Sequence, residues 1–246
     1  MYNPKDLMLR TTDIAAGKLK RSIFSVFIAS LLGGLFIGLG YYGYLRLSSG
    51  YITYDFFASL VFTSGLVLII IGGGELFTGD CLFTFGLFHR RYSVWRMLFY
   101  LLIVWVGNFI GAIILALFVK IGFDVKSFMD ITRVVNAKVT NLTFLKAFIS
   151  GILCNILVAM AVYMSAASDS VSGKVLTTVI PISLFVISGF EHCVANMFIL
   201  SYGYFEIETL TLADIFLKNL LPVTLGNIVG GGLIIPVAYY LIHKKQ

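Results

Sequence analysis

A glutamate and a histidine stand side by side, at Glu191 and His192, inside an apolar stretch long enough to cross a membrane. Ionisable residues in such positions are rare and usually functional. His192 can donate a hydrogen bond to an anion or exchange a proton near neutral pH. Asn196 follows one helical turn later on the same face, and Thr78 offers a hydroxyl in a second polar interruption. These residues predict polar chemistry in apolar surroundings.

Four further polar positions in apolar segments have two interpretations. Glu75 and Glu191 are interpreted as caps for the N–H groups that an interrupted helix leaves unpaired, and Asn108 and Asn227 as braces for the interruptions. Glu191 is then expected to turn away from the path that His192 faces and to bind N–H groups of the segment 76–80. A purely structural role explains the same four residues, because any polar group in a membrane needs partners.

Metal binding and enzymatic chemistry are the rival interpretations of Glu191, His192 and Cys193. Adjacent side chains point in different directions, and no second histidine follows at ligand spacing. Zinc sites usually need three or four protein ligands. No metal and no cofactor is therefore predicted, and an intramembrane enzyme would need a further ligand or base that the sequence does not supply.

The composition places these residues in a membrane protein. The chain of 246 residues is 59% hydrophobic and 12% charged, with a mean hydropathy of +0.96. Soluble domains carry about 25% charged residues. A net charge of +6 suggests nucleic acid, but the basic residues flank apolar runs, as the positive-inside rule expects. Nucleic acid is not expected as a partner, whereas membrane lipid is.

Six helical spans are predicted, preceded by a cytoplasmic amphipathic segment over residues 1–21 and forming a single channel domain over 22–246. The second span is interrupted at 72–80 and the fifth around 188–192. With the N-terminus inside, eleven of the eighteen Lys and Arg residues fall on the inner side and seven on the outer side, which favours cytoplasmic termini. The predicted spans are 22–43, 55–88, 94–119, 143–167, 175–200 and 220–242.

An internal repeat links the two halves. The segment GNFIG at 107–111 matches GNIVG at 226–230, and Glu75 precedes Glu191 at nearly the same offset. Because each unit, 22–119 and 143–242, holds three spans, the copies must lie in opposite orientations. Inverted repeats are typical of transporters, whose substrate path runs past the broken helices. Phe62 and Leu66, one turn apart before the first break, either narrow such a path or simply pack.

Three motifs resemble the formate/nitrite transporter family of bacterial membrane channels: GGGELFTGD at 72–80, GILCN at 151–155 and GFEHCVANMF at 189–198. The resemblance covers nearly the whole chain. It implies an all-α, aquaporin-like fold with a 3+3 inverted repeat, a homopentamer in the bacterial inner membrane, and passage of small monovalent anions such as formate, nitrite or hydrosulfide. The sequence ELFTG, where formate channels tend to have DLFTS, favours the nitrite or hydrosulfide branches.

The resemblance also implies roles for single residues. The central histidine of the family falls on His192, its loop threonine on Thr78 and its following asparagine on Asn196. Its vestibule lysine falls on Lys138, with Lys146 as a second candidate. The residues of its apolar constrictions fall on Phe62, Leu66, Leu76 and Phe185. A channel for neutral solutes remains the alternative function, although the Asn-Pro-Ala pair of aquaporins is absent.

Overall fold

The computed structural model describes residues 2–48, 52–125 and 129–243, which fold into ten helices. Lys126, Lys244 and Lys245, which enter the charge count above, lie outside these ranges. The helices are α1 (Pro4–Lys18), α2 (Ile23–Leu47), α3 (Ile52–Gly72), α4 (Phe77–Phe88), α5 (Val94–Gly122), α6 (Ile131–Val139), α7 (Phe144–Ser165), α8 (Val171–Ile187), α9 (Cys193–Glu206) and α10 (Asp214–His243).

Five helices are long and apolar enough to cross a membrane: α2, the part of α3 from Asp55, α5, α7 and α10. The predicted first, third, fourth and sixth spans each correspond to one of them. The predicted second span consists of α3 and α4, and the predicted fifth span consists of the shorter helices α8 and α9. Both predicted interruptions therefore separate two helices in the structure.

Hydroxyl side chains fix where four of the helices begin. Ser22, Ser93, Thr143 and Ser170 precede α2, α5, α7 and α8, and each side-chain oxygen accepts a hydrogen bond from the backbone N–H three residues later. Such caps satisfy one of the N–H groups that have no partner within the helix. The apolar run that follows each cap then continues as helix.

Glycines set the two interruptions. Gly73 and Gly189 have φ angles of 89° and 68°, a left-handed conformation in which a side chain is strained. Gly73 follows the end of α3, and Gly189 lies two residues after the end of α8. The chain then runs without helix to Phe77 and Cys193, where α4 and α9 begin.

The segment between the predicted spans 94–119 and 143–167 is not a plain loop. It contains α6, which begins after Asp130, whose carboxylate accepts a hydrogen bond from the N–H of Arg133. Ile131, Val135 and Val139 recur at helical spacing and are buried. This single apolar stripe is too short to stand out beside the membrane-spanning runs, but it holds Lys138 in a fixed position.

The two halves of the chain pack in corresponding ways. Helix α2 packs against α3 and α5, and α7 packs against α8 and α10; α3 also contacts α8, and α5 contacts α9. Large apolar side chains such as Phe24, Trp95 and Ile180 cover the outside and are exposed. Polar side chains including Asn108, Asn155 and Asn227 are fully buried. This pattern is typical of a protein whose outer surface contacts membrane lipid and whose polar side chains lie inside.

Helices α2 and α5 approach so closely that Gly34 is required between them. A Cβ atom on Gly34 would lie 1.9 Å from the carbonyl oxygen of Asn108. Gly34→Ala should therefore lower the midpoint of thermal unfolding in detergent, because relieving such a clash typically costs about 1–3 kcal/mol or more. Gly122→Ala is the control, since nothing lies within 4 Å of that added carbon. Equal midpoints for the two variants would contradict this packing.

Candidate functional site

His192 lies at the centre of the molecule, where it precedes α9. Its Nδ1 atom accepts a hydrogen bond from the N–H of Ala195 at 3.1 Å, and its Nε2 atom lies 2.9 Å from the Thr78 hydroxyl. Because Nδ1 accepts, the neutral ring carries its proton on Nε2 and donates it to Thr78. The Thr78 hydrogen is then available to a third group. Both side chains are buried.

Two asparagines hold the interrupted segments by the same set of bonds. The side-chain oxygen Oδ1 of Asn108 accepts a hydrogen bond from the backbone N–H of Phe77. The Oδ1 atom of Asn227 accepts one from the backbone N–H of Cys193, and both bonds are 3.0 Å long. Their amide groups donate to the backbone oxygens of Glu75 and Glu191, at 2.9 and 3.2 Å. Each asparagine thus ties the first turn of a half-helix to the break before it, the arrangement expected of a brace.

Removing one brace should destabilise the protein strongly. Asn227→Ala leaves the N–H of Cys193 and the carbonyl of Glu191 buried without this partner, at about 1–3 kcal/mol for each unsatisfied group. We expect a markedly lower unfolding midpoint in detergent than for the wild type. Asn136→Ala, an exposed asparagine on α6, should leave the midpoint unchanged. A similar midpoint for both variants would show that the brace carries no stability.

Aromatic rings border one side of the histidine. Phe185 stacks on His192 with ring centroids 5.7 Å apart, and Phe62 meets Phe185 edge-on at 5.5 Å. Both phenylalanines line a cavity of about 510 Å³, which Lys138 also lines and which is called the Lys138 cavity below. The predicted constriction residues Phe62 and Phe185 therefore lie together in the lining of this cavity, beside His192.

The Lys138 cavity contains a buried ion pair. The Lys138 ammonium lies 2.9 and 3.0 Å from the two oxygens of Glu191, and the Asn196 amide donates to the same carboxylate at 2.5 Å. Asn219, which the sequence analysis did not single out, accepts from Asn196 and donates to the backbone oxygen of Lys138. Lys138, Asn196 and His192 thus share one wall. Lys146 is exposed at the start of α7 and lies outside this lining.

The expected division of labour between Glu191 and His192 is wrong. Glu191 binds Lys138 and Asn196 instead of N–H groups of the segment 76–80, and it lines the cavity together with His192. The expectation assumed helical geometry at both residues. His192 is extended, with φ and ψ of −110° and 117°, and α9 begins only at Cys193. Both side chains can therefore border the same space.

A second cavity is lined by a different set of the described residues. It has a volume of about 330 Å³ and is called the Lys18 cavity after the lysine at the end of α1 that lines it. Leu66 and Leu76, the other two predicted constriction residues, line this cavity. His192 lines the Lys138 cavity together with Phe62 and Phe185, and its partner Thr78 lies two residues after Leu76, which lines the Lys18 cavity.

Glu75 belongs to an ion cluster that sequence reasoning missed. The Lys18 ammonium lies 2.5 Å from Glu75 and 2.8 Å from Asp80, and Arg21 binds the other oxygen of Glu75. Glu75 therefore also binds cations rather than free N–H groups. A signal was present, because Lys18 precedes Lys138 by 120 residues, close to the offset of the repeat.

The Lys18 ammonium is held in its charged form. Lys18 ends α1 and lies outside the spanning helices. Burial lowers its pKa, but the negative charges of Asp80 and Glu75 outweigh burial and raise the pKa above the ordinary lysine value. Lys18 and Arg21 thus share a cluster with the acidic side chains of Glu75 and Asp80.

The side chains of residues 191–193 are not arranged as a metal site or an enzyme centre would require. Glu191 points to Lys138, His192 to Thr78, and the Cys193 thiol is buried. Within the part of the chain that the structure describes, no three His, Cys, Asp or Glu side chains converge in a way that could hold a metal ion. Glu191 and His192 are thus engaged in separate hydrogen bonds, with Lys138 and with Thr78.

Comparisons with known proteins agree on one family. The sequence profile described as "Formate/nitrite transporter" matches residues 5–241. The "Probable formate transporter" of Methanothermobacter thermautotrophicus is 34% identical over 271 aligned residues, covering 99% of this chain and 98% of that protein. Among solved structures, an "FNT family ion channel" superposes with a TM-score of 0.88 at 28% identity, over 96% of this chain and 98% of that one. A "Pentameric formate channel with formate bound" gives 0.77 at 31% identity, over 90% and 98%.

Proposed function

The chain belongs to the formate/nitrite transporter family, and from this premise we propose that it conducts small monovalent anions of weak acids through the bacterial inner membrane. Members of this family are transporters and channels. The observation that carries the proposal is the buried, hydrogen-bonded pair of His192 and Thr78. His192 lines a cavity that contains Lys138, and Leu76, two residues before Thr78, lines a cavity that contains Lys18. Formate, nitrite and hydrosulfide are the proposed substrates.

Anion entry begins at the Lys138 cavity in this mechanism. The Lys138 ammonium attracts the anion, although Glu191 neutralises much of its charge and keeps the resting cavity from trapping a chloride ion. A bare anion loses several kcal/mol of hydration on moving between apolar rings. The anion is therefore expected to pass Phe62 and Phe185 in neutral form or while hydrogen-bonded.

His192 and Thr78 supply the hydrogen bonds at the narrowest point. The Nε2–H group of His192 or the O–H group of Thr78 donates a hydrogen bond to the anion and keeps its proton. As the dielectric constant of its surroundings falls, the anion takes up a proton from the water of the cavity, which is resupplied from bulk water. The neutral acid then passes Leu66 and Leu76 into the Lys18 cavity and ionises again in water. Passage in the opposite direction uses the same groups in reverse order.

The architecture that we propose has six spans in a 3+3 inverted repeat. The matching bonds of Asn108 and Asn227 support it, since residues 119 positions apart make equivalent contacts. Residues 22–246 form the channel domain, and residues 1–21 form the cytoplasmic segment that contains α1. With both termini cytoplasmic, the Lys18 cavity opens to the cytoplasm and the Lys138 cavity to the outside. We propose a homopentamer with one path in each protomer, and the similarity to a solved pentameric formate channel supports the pentamer.

Reconstituted liposomes provide the direct test. The purified protein is loaded into vesicles, and the flux of formate, nitrite, hydrosulfide, chloride and glycerol is measured against empty vesicles. Flux of one or more of the weak-acid anions, with little chloride or glycerol flux, supports the proposal. Rapid water or glycerol flux without anion flux would replace it by a neutral-solute channel. The mass of the detergent-solubilised complex tests the pentamer separately.

A further inference from the structure

The two cavities differ at one pair of equivalent positions. Asp80 lies 116 residues before Asn196, the same offset as Glu75 to Glu191. In the Lys138 cavity, Asn196 donates a hydrogen bond to the glutamate. In the Lys18 cavity, a second carboxylate takes that place and binds the lysine instead. The Lys18 cavity therefore has an ionisable group that its counterpart lacks.

One oxygen of this carboxylate has no hydrogen-bond partner among the described residues. Asp80 Oδ1 lies 2.8 Å from the Lys18 ammonium, whereas Oδ2 is buried without a donor or acceptor. The side chain is 4% exposed, and Asp80 lines the Lys18 cavity. A buried carboxylate oxygen without a donor is costly, and a bound proton removes that cost.

The neighbours of Asp80 also favour sharing a proton. Glu75 binds the same ammonium, so two carboxylates compete for Lys18. Two carboxylates in one site make it easier for one of them to hold a proton. The other titratable groups around Asp80 include the phenols of Tyr92 and Tyr100 and the thiol of Cys81, which are neutral at physiological pH, and the guanidinium of Arg21, which binds Glu75. Of the two carboxylates, Glu75 has both oxygens paired, which leaves Asp80 to carry the proton.

We propose that Asp80 is a proton-transfer residue of the Lys18 cavity. When an anion enters from that side, the O–H bond of the Asp80 carboxyl breaks and a bond from the same proton to the anion forms. Asp80 is left as a carboxylate beside the Lys18 ammonium, and water in the cavity supplies the next proton. An acid arriving from the centre returns its proton to Asp80 and leaves as the anion. The inference rests on the proposed anion transport and adds the group that protonates the substrate on this side.

The chemical match supports this assignment. An aspartic acid and a small carboxylic acid have similar intrinsic acidity, and the same cavity disfavours the ionised form of both, so a proton passes between them with little cost in either direction. Asn196 cannot perform the same transfer, because an amide neither binds nor releases a proton near neutral pH. Proton exchange with the substrate at this pair of equivalent positions is therefore possible at Asp80 and not at Asn196.

Asp80→Asn is the informative variant. Asparagine occupies the equivalent position 196, so the site accepts this side chain, and its amide oxygen still accepts from Lys18. We expect formate flux in liposomes to fall about tenfold or more, and its dependence on the pH of the Lys18 side to flatten. Asp13→Asn is the matched control, because Asp13 is an exposed carboxylate of α1 outside the Lys18 cavity. It should behave like the wild type.

Each outcome decides between the two proposals. Wild-type flux and pH dependence in Asp80→Asn would overturn the role of Asp80 while leaving anion transport intact. A wild-type protein that conducts none of the weak-acid anions overturns the proposed function instead. If Asp80→Asn fails to assemble, Lys18→Gln takes its place. Without the Lys18 ammonium, Asp80 should hold its proton more tightly, and the pH profile of flux should shift to higher pH. An unshifted profile would overturn the inference.

Discussion

Replacing His192 by asparagine should lower anion flux about a hundredfold while leaving the fold intact. Asparagine is a good N-cap, so its side-chain oxygen can still accept the N–H of Ala195 that His192 Nδ1 accepts. It cannot provide the Nε2 proton that His192 directs at Thr78. Loss of a positioned proton donor typically costs a factor of about 10² to 10⁴. Formate and nitrite flux in liposomes measures the effect.

The same substitution elsewhere provides the control. His89 lies at the end of α4, bonded to the backbone oxygen of Phe85, away from the central path. His89→Asn should retain wild-type flux.

Thr78→Val keeps the shape of the side chain but removes the hydroxyl, and it should reproduce most of the loss seen with His192→Asn. Undiminished flux in both central variants would remove this pair from the transport mechanism.

Local signals in the sequence were sufficient to locate the breaks and the central residues. Gly73 and Gly189 stand beside polar residues in apolar runs, and such runs can tolerate a break only where protein or a cavity covers it. The brace pair followed from the repeat, because Asn108 and Asn227 occupy equal positions in matching pentapeptides. These features depend on neighbours close in sequence or on the offset of the repeat, both of which are visible without a structure.

Partners distant in sequence were not visible. Lys18 stands in a polar segment that resembles any surface helix, and its carboxylate partners lie 57 and 62 residues later. The partner of Glu191 was missed because the rotation between helical neighbours was applied to residues that precede the helix. Helix α6 was missed because its apolar stripe spans only nine residues. Side-chain direction at a break is set by tertiary contacts, which spacing along the chain does not encode.

Removing either partner of the Lys138 and Glu191 ion pair should lower the stability of the protein. Either Lys138→Met or Glu191→Ala leaves one buried charge without its partner, at an expected cost of about 3–5 kcal/mol. Burial lowers the pKa of Lys138, but the charge of Glu191 outweighs burial and raises the pKa above the ordinary lysine value. The ion pair therefore contributes its full stabilisation at any pH below the ordinary pKa of lysine. This contribution is lost only as the pH rises through the raised pKa of Lys138. The loss in Lys138→Met should thus be constant between about pH 6 and 9.

Combining Lys138→Met with Glu191→Gln should restore most of the stability but not the flux. The double variant contains no uncompensated charge, and the glutamine oxygen still accepts from Asn196, which donates to Glu191 in the wild type. Neutral replacements of buried ion pairs often match the stability of the original. The cavity nevertheless loses the ammonium that attracts the anion, so formate flux should stay well below wild type. Thermal unfolding in detergent and liposome flux measure the two effects separately. Wild-type flux in the double variant would make Lys138 a structural residue, and unchanged midpoints in both single variants would show that the pair does not stabilise the protein.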